Sequence, residues 1–512
     1  MKKAALIFLI FALVFSAAGC GLGADIEPGS SPLGAYGDHG EKVEIVPPRK
    51  EIAMVFYEAM DTHPLTTTNS ENHELLKLVY SPLVRLNGNL SAEYVLAEKV
   101  EIKGVDVTIT LKKGLKFSDG SAVTAADLDH SIQTVRNHPD SPYYSRLANI
   151  QKYSVQDEQT LTITLKEPDI DFINCLDLPI IKKGKELGCG PYKFATEGGK
   201  QALKINKHYF EQPMVETIHL KAPKSEKERQ EMFSVGLLDI YFDAAETEQK
   251  FAGGKGFSTQ TYPGDNLLYL GINCREGLLQ NSKFRAFLNR VINREKLVDG
   301  VLLGRAEAAV YPYQPNWYKA EQSIAESEYS DSEKAAAIKE LGLTQQENIL
   351  MDQESKPLSF RLLVCEENEM HTAAAKAVAE GLKIAGITIK IDAVSRWNYQ
   401  ARLAEGNFDL YLGESKTGRT LNTALYAPES AINFSGAPFE ALQQAAADYK
   451  SGNLPLTDYC KAFDLDTPII PLAYRGGTLF ASADIGEFKS TGSWAIYGDF
   501  SKLMIKETEK IK

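Results

Sequence analysis

The chain has 512 residues, 44% hydrophobic and 24% charged, with 56 Lys+Arg against 68 Asp+Glu and a net charge of −12. At roughly 150 residues per domain this length holds two or three domains, and the composition excludes a wholly disordered or polytopic membrane chain. The acidic balance lacks the basic surplus of a duplex-binding protein, so no nucleic-acid partner is expected.

The opening MKKAALIFLIFALVFSAAGCGLG places Lys2 and Lys3 before an apolar run, then small residues, then Cys20. This is the layout of a secretory signal peptide, with an apolar run too short for a comfortable permanent span. Cys20 after Ala-Gly resembles the lipobox of bacterial lipoproteins, although Ala17 stands where that family usually has Leu. The resemblance implies removal of residues 1–19, acylation of Cys20 and an extracytoplasmic, membrane-anchored location at the cell surface or in the periplasm. Residues 20–48 are rich in Gly, Pro, Ser and charge and carry no apolar period, which predicts a flexible tether.

From residue 49 strands and helices alternate. Residues 51–58 read as a strand, and 70–85 have helical spacing up to the Asn87-Gly88-Asn89 loop. Residues 106–112 alternate strictly and predict a strand, and Thr124 with Asp127 forms a capping box that opens a helix. Residues 153–155 and 161–165 predict a hairpin around Asp157-Glu158, and Gly188 to Tyr192 breaks the chain before a further strand. Helices are predicted at 224–237, 282–298, 333–341, 372–384 and 397–404, and strands at 266–273, 358–364, 387–394, 408–412 and 468–474. The pattern is α/β with mixed sheets. Besides Cys20, the cysteines are Cys175, Cys189, Cys274, Cys365 and Cys460, with no zinc spacing. Cys175 and Cys189 are close enough in sequence to pair, or to stay as buried thiols.

Several blocks are more specific. LVYSPLVRLNGNL, LAEKV and VTITLKKGLKFSDGSAVTAADLDHSI are followed in order by GCGPYKF (188–194), KINKHYF (204–210), LGINCREGLLQNSKFRAFLNRVINREKLVDGVLLGRA (270–306), ITIKIDAVSRWNYQARLAEGNFDLYL (387–412) and TPIIPLAYR (467–475). Together they resemble the family 5 solute-binding proteins, the extracytoplasmic peptide- and nickel-binding components of ABC importers, over about residues 50–505. The resemblance implies a two-lobed, periplasmic-binding-protein-like α/β fold of the large, three-domain type II subclass, with its ligand cleft between the lobes. Domain I would comprise 49–65, 188–265 and 468–512, domain II 66–187 and domain III 266–467, with crossings near 264–268 and 467–471. It also implies a peptide or other small solute and ABC permease subunits as partners, no cofactor, and no enzymatic activity.

In peptide-binding members an Asp in the loop after the "FDL" strand holds the ligand ammonium. That loop here is LGESKTGRTLN (412–422); aligned on Asp409, the Asp position is Gly418 and the aromatic position is Ser415. Glu414 is the loop's one acid, and Lys416 and Arg419 are its cations. Either Glu414 captures the amine of a peptide, or Lys416 or Arg419 faces the cleft and the solute is anionic or lacks a free amine, or both cations are solvated. Trp397 matches an aromatic position flanking the cleft, as a stacking wall or as core. Tyr57 and Glu58 end the first strand, and Tyr80-Ser81 occupies a loop position that faces the cleft in the family. The histidines are His39, His63, His73, His130, His138, His208, His219 and His371. No two share a helix at i, i+4, so no metal ligands are assigned, although a nickel receptor remains an alternative. A sensor or adaptor lipoprotein would look the same in sequence. An anchored hydrolase lacks its motifs: Ser234 misses the first glycine of Gly-x-Ser-x-Gly, and His73-Glu74 has no second histidine.

Overall fold

The part of the sheet that positions the site contains β1 (Glu51–Val55), β2 (Thr217–Lys221), β3 (Ile240–Asp243), β4 (Phe257–Ile272), β5 (Ser359–Cys365), β6 (Thr388–Val394), β7 (Leu410–Lys416) and β8 (Ile469–Ser482). The computed structural model describes residues 43–46, 48–243, 256–320, 329–486, 490–498 and 500–511. The signal peptide, Cys20 and most of the predicted tether lie outside these residues, while Val43–Val46, within the predicted tether, is a strand.

β4 and β8 are the antiparallel spine of one eleven-stranded sheet. At one end β8 pairs with β3; β1 lies between β3 and β2 and runs parallel to both. At the other end β4 pairs with β7, which continues into the parallel pair β5 and β6. β8 is buried along nearly its whole length, and its apolar stretches 469–474 and 479–481 flank a central Arg475-Gly476-Gly477-Thr478.

The spine is interrupted twice on its way between the two ends, by a wide break between Tyr262 and Asn266 and by a smaller shift between Leu268 and Tyr269. Residues 257–262 pair with 477–482, then the register breaks, and 266–271 pair with 469–475. At the break a Cβ on Gly264 would overlap the carbonyl of Arg475, and one on Gly476 would overlap the carbonyl of Tyr262. Only glycine lets the two backbones approach this closely. On either side of the break lies a separate apolar core. One holds Ile52, Phe172, Ile218 and Leu479; the other holds Leu270, Phe284, Leu363 and Ile470. A four-stranded antiparallel sheet adds Val107, Ile109, Leu161 and Ile163 to the first core. The molecule therefore has two lobes joined through the glycine crossing.

Several elements differ from their sequence-based expectation. The first crossing falls where expected, but the second lies at Arg475 to Gly477, farther along β8 than 467–471. The helix expected at 70–85 is α1 (Ser70–Leu76) alone. Beyond it the backbone turns to bond elsewhere: Leu78 and Val79 accept from Tyr192 and Gly190, and Ser81 accepts from Ile180. The helix expected at 282–298 is two, Ser282–Val291 and Arg294–Gly300. Asn293 breaks it, because its side chain caps the second helix by accepting from the Lys296 amide. Cys175 and Cys189 are both free, buried thiols. Among the described residues no helix is long and apolar enough to cross a membrane. Two further helices used below are α2 (Glu226–Ser234) and α3 (Arg396–Glu405).

Candidate functional site

A cavity of about 910 Å³ opens at the glycine crossing. Gly264, Asp265, Arg475 and Gly476 form its crossing wall; Lys416 ends β7 and Thr417 to Thr423 come from the loop after it; Thr67, His73 and Arg146 come from the first lobe. The site thus draws on both lobes and on the segment that links them.

The two predicted loop cations have different surroundings. The Arg419 side chain is 3% exposed and engaged on both flanks: its Nε lies 3.3 Å from Asp177 Oδ2 and its Nη1 3.1 Å from Asp265 Oδ2. Asp177 also accepts from Arg146 Nη1 at 2.6 Å. Burial alone would raise both carboxyls, but Arg146 and Arg419 outweigh it at Asp177, and Arg419, Lys416 and Arg146 outweigh it at Asp265, so both are held below the ordinary range. Arg419 therefore ties its loop to the first lobe across the cavity wall. Lys416 is exposed, borders the cavity and has no ion-pair partner among the described residues.

Glu414 does not border the cavity. Its two oxygens lie 2.7 and 2.8 Å from Arg475 Nη1, and Oε2 lies 3.2 Å from His371 Nε2. Burial pushes its carboxyl up, and His371 and Arg475 together bring it below its ordinary value. This acid is already engaged inside the second lobe and is not presented to a ligand amine. Ser415 pairs with Leu267 within the sheet and lies outside the cavity lining. Trp397 stands on α3 with 78% exposure, also outside the lining. Tyr57 borders a second opening, and Glu58 is exposed and borders neither. Tyr80 and Ser81 are buried in the first lobe beside a small cavity of about 60 Å³, where the Tyr80 hydroxyl donates to the carbonyl of Glu186 at 3.2 Å. The structure thus gathers Lys416 and Arg419 at the cavity and disperses the other predicted residues.

Three polar groups at the cavity were not predicted. Thr67 Oγ1, His73 Nδ1 and Ser493 Oγ are buried atoms without a hydrogen-bond partner among the described residues, and all three residues border the cavity. The His73 ring stacks on Tyr143 with centroids 5.3 Å apart, and its Nε2 lies 3.4 Å from the Tyr143 hydroxyl. Burial, reinforced by Lys77 and Arg146, pushes His73 well below the ordinary imidazole range, so the ring is neutral at pH 7. Nearly all buried polar atoms in folded proteins are paired, so these three residues carry unused hydrogen-bonding capacity beside the cavity. Among the described residues no group of three or more His, Cys, Asp or Glu side chains is placed to hold a metal ion.

Residues 92–426 match the family model of bacterial extracellular solute-binding proteins, family 5, middle region. The glutathione-binding protein GsiB of Salmonella typhimurium is 28% identical over 306 residues, 52% of this chain and 59% of that protein. The oligopeptide-binding protein AppA of Bacillus subtilis is 26% identical over 366 residues, 64% of this chain and 66% of that protein. The chain therefore spans less than two thirds of the length of both relatives. The crystal structure of a nickel ABC transporter protein from Bacillus halodurans superposes with a TM-score of 0.73 at 19% identity, covering 90% of this chain and 100% of that one, a likeness of fold. The two-lobed α/β architecture expected from the sequence is the one found.

Proposed function

The chain belongs to family 5 of the bacterial extracellular solute-binding proteins, and from that membership we propose that it is an extracytoplasmic receptor of an ABC importer. It takes a peptide or peptide-like solute into the cavity between its lobes and delivers it to a membrane permease, without covalent chemistry. The cavity volume of about 910 Å³ suits a short peptide. The observation that carries the reading is the set of orphaned polar atoms on Thr67, His73 and Ser493 around a cavity that straddles a glycine crossing. Lobe closure about that crossing would shield the solute from water and strengthen its polar contacts. With Glu414 engaged by Arg475 and His371, the exposed cation Lys416 favours a solute that presents a carboxylate to this loop.

In this reading domain I comprises 49–65, 188–265 and the chain beyond the crossing at 475–477, domain II 66–187 and domain III the residues from 266 to that crossing, in place of the sequence-based boundary at 467/468. Acylation of Cys20 would hold the receptor at the membrane; Cys20→Ser is expected to move it to the soluble fraction, and a variant still wholly in membranes would reject the anchor. The function is tested by melting-temperature shifts against short peptides with free carboxyl termini, the matching peptide amides, N-acetylated peptides, oligosaccharides and Ni²⁺. A ligand that binds only the native state raises the midpoint by mass action. Free-carboxyl peptides are expected to raise it more than their amides; no shift with any peptide would reject a peptide receptor.

A further inference from the structure

The first lobe has a second opening, a groove of about 550 Å³. It lies at the carboxyl ends of the parallel strands β1, β2 and β3, the edge at which open α/β sheets bind ligands. Tyr57 and Met60 follow β1, Glu71 sits in the first turn of α1, Glu226 and Arg229 lie on α2, and Phe242 precedes the last residue of β3, Asp243. Ser70 and Phe242 border this groove and the 910 Å³ cavity alike, so the two openings are neighbours.

The charges beside the groove do not balance. Arg229 pairs with Glu71 Oε1, with Glu226 Oε2 at 2.6 Å and with Asp243 Oδ1 at 3.1 Å, so one guanidinium faces three carboxylates. Glu71 is 4% exposed and borders the groove, yet its Oε2 has no hydrogen-bond partner among the described residues; the same holds for Oδ2 of fully buried Asp243 behind it. Lys224 borders the groove from an exposed position, and Tyr57 forms a half-buried wall. Burial pushes Glu71 up to about 8 and Asp243 up to about 6 against the pull of Arg229, so the cluster retains a proton near neutrality. Arg229 occupies the centre of the cluster, where a metal ion would need its ligands to converge. Arg229 Nε is also without a hydrogen-bond partner among the described residues, but the orphaned oxygens of Glu71 and Asp243 outnumber it, so the remaining acceptor capacity suits an organic cation at the groove side.

We propose that this groove binds an alkylammonium or guanidinium group of the solute, with Glu71 and Glu226 as acceptors and Tyr57 and Met60 as apolar walls. The inference rests on the reading of the chain as a solute receptor, and it supplies the amine subsite that the loop after β7 lacks. The cation takes the place of the proton held by Glu71, which leaves to solvent.

The test is calorimetric titration of the protein with n-butylammonium and with neutral n-butanol, repeated on Glu71→Gln and Glu226→Gln. Saturable binding of n-butylammonium is expected, with proton release, about tenfold weaker in Glu71→Gln and about threefold weaker in Glu226→Gln, and absent for n-butanol. No saturable binding to the wild type, or equal affinity in both variants, overturns the proposal. If Glu71→Gln melts far below the wild type, the more exposed Glu226→Gln decides alone. A second arm uses tripeptides that begin with lysine or norleucine, with free or acetylated amino termini. Loss on replacing lysine assigns the groove to a side chain; loss on acetylation assigns it to the α-amine. Tripeptides that all fail while n-butylammonium binds would sink the peptide-receptor reading and leave the groove standing.

Discussion

Arg419 with Asp177 and Asp265, and Arg229 with Glu71, Glu226 and Asp243, are two arginine–carboxylate clusters, each with its arginine buried and, in the second, with Glu226 reaching toward solvent. In the first, Arg146 adds a second guanidinium, and Lys416 and Lys77 add their pull on Asp265 and Asp177, so the cations at least match the two acids and both acids are held below their ordinary range. In the second, one cation meets three acids, and Glu71 and Asp243 are pushed above it. Desolvation acts in the same direction in both places; the number of cations decides the sign. The first cluster is complete and joins the lobes, whereas the second is two positive charges short, one of them made up by the retained proton, and accepts a further cation.

The largest expected effect comes from breaking the complete cluster. Asp177→Ala leaves Arg146 and Arg419 buried against each other, which should cost about 3–5 kcal/mol, read as a lower urea midpoint. A loss below about 1 kcal/mol would show that the cluster does not hold the lobes. Next comes pH. The fold raises Glu71 from its ordinary 4.5 to about 8, so it binds a proton that the unfolded chain has released. The stability from this group is complete below 4.5 and is lost as pH rises through about 8. Asp177 and Asp265 are depressed, so their contribution is complete above their ordinary 3.8 and is lost as pH falls through their folded values. Melting midpoints across pH 3–9 should fall on both sides, and Glu71→Gln should flatten the limb between pH 5 and 8; an unchanged slope there would remove Glu71 from the account. Lys416→Ala should weaken a carboxylate-bearing peptide about tenfold, or about 1.4 kcal/mol, by calorimetry. Trp397→Ala should be smallest, within about 0.5 kcal/mol in stability and less than twofold in affinity, because the ring stands exposed outside the cavity. A tenfold loss of affinity would return Trp397 to the cleft wall.

The strand–turn–helix around LKKGLKFSDG and the loop after β7 were legible because each is a local pattern, and the loop delivered Lys416 and Arg419 to the cavity. The role of Arg419 was not legible, since its partner Asp177 lies 242 residues away. Glu414 stood out as the loop's one acid, but its engagement by Arg475 and His371 depends on sheet packing that no spacing announces. Thr67 and Ser493 belong to ordinary polar runs, and nothing local distinguishes them. Two signals were present and can be read in hindsight: Asn293 ahead of Arg-Glu-Lys is a helix cap, and the adjacent Gly476-Gly477 marks the second crossing better than residues 467–471 do.

The order of strands in the sheet has a consequence for how the chain folds. β8 is the last long strand in the sequence, yet it lies in the middle of the sheet, between β3 and β4. Until residues 469–482 arrive, both of those strands present an unpaired edge, and neither lobe can close its core along the spine. β1, near the start of the folded region, also waits for β3 to arrive from nearly two hundred residues downstream. Such long-range pairing makes folding slow and late. A chain truncated before residue 469 would therefore be two open-edged halves prone to aggregate, and the complete chain acquires both lobes and the crossing together.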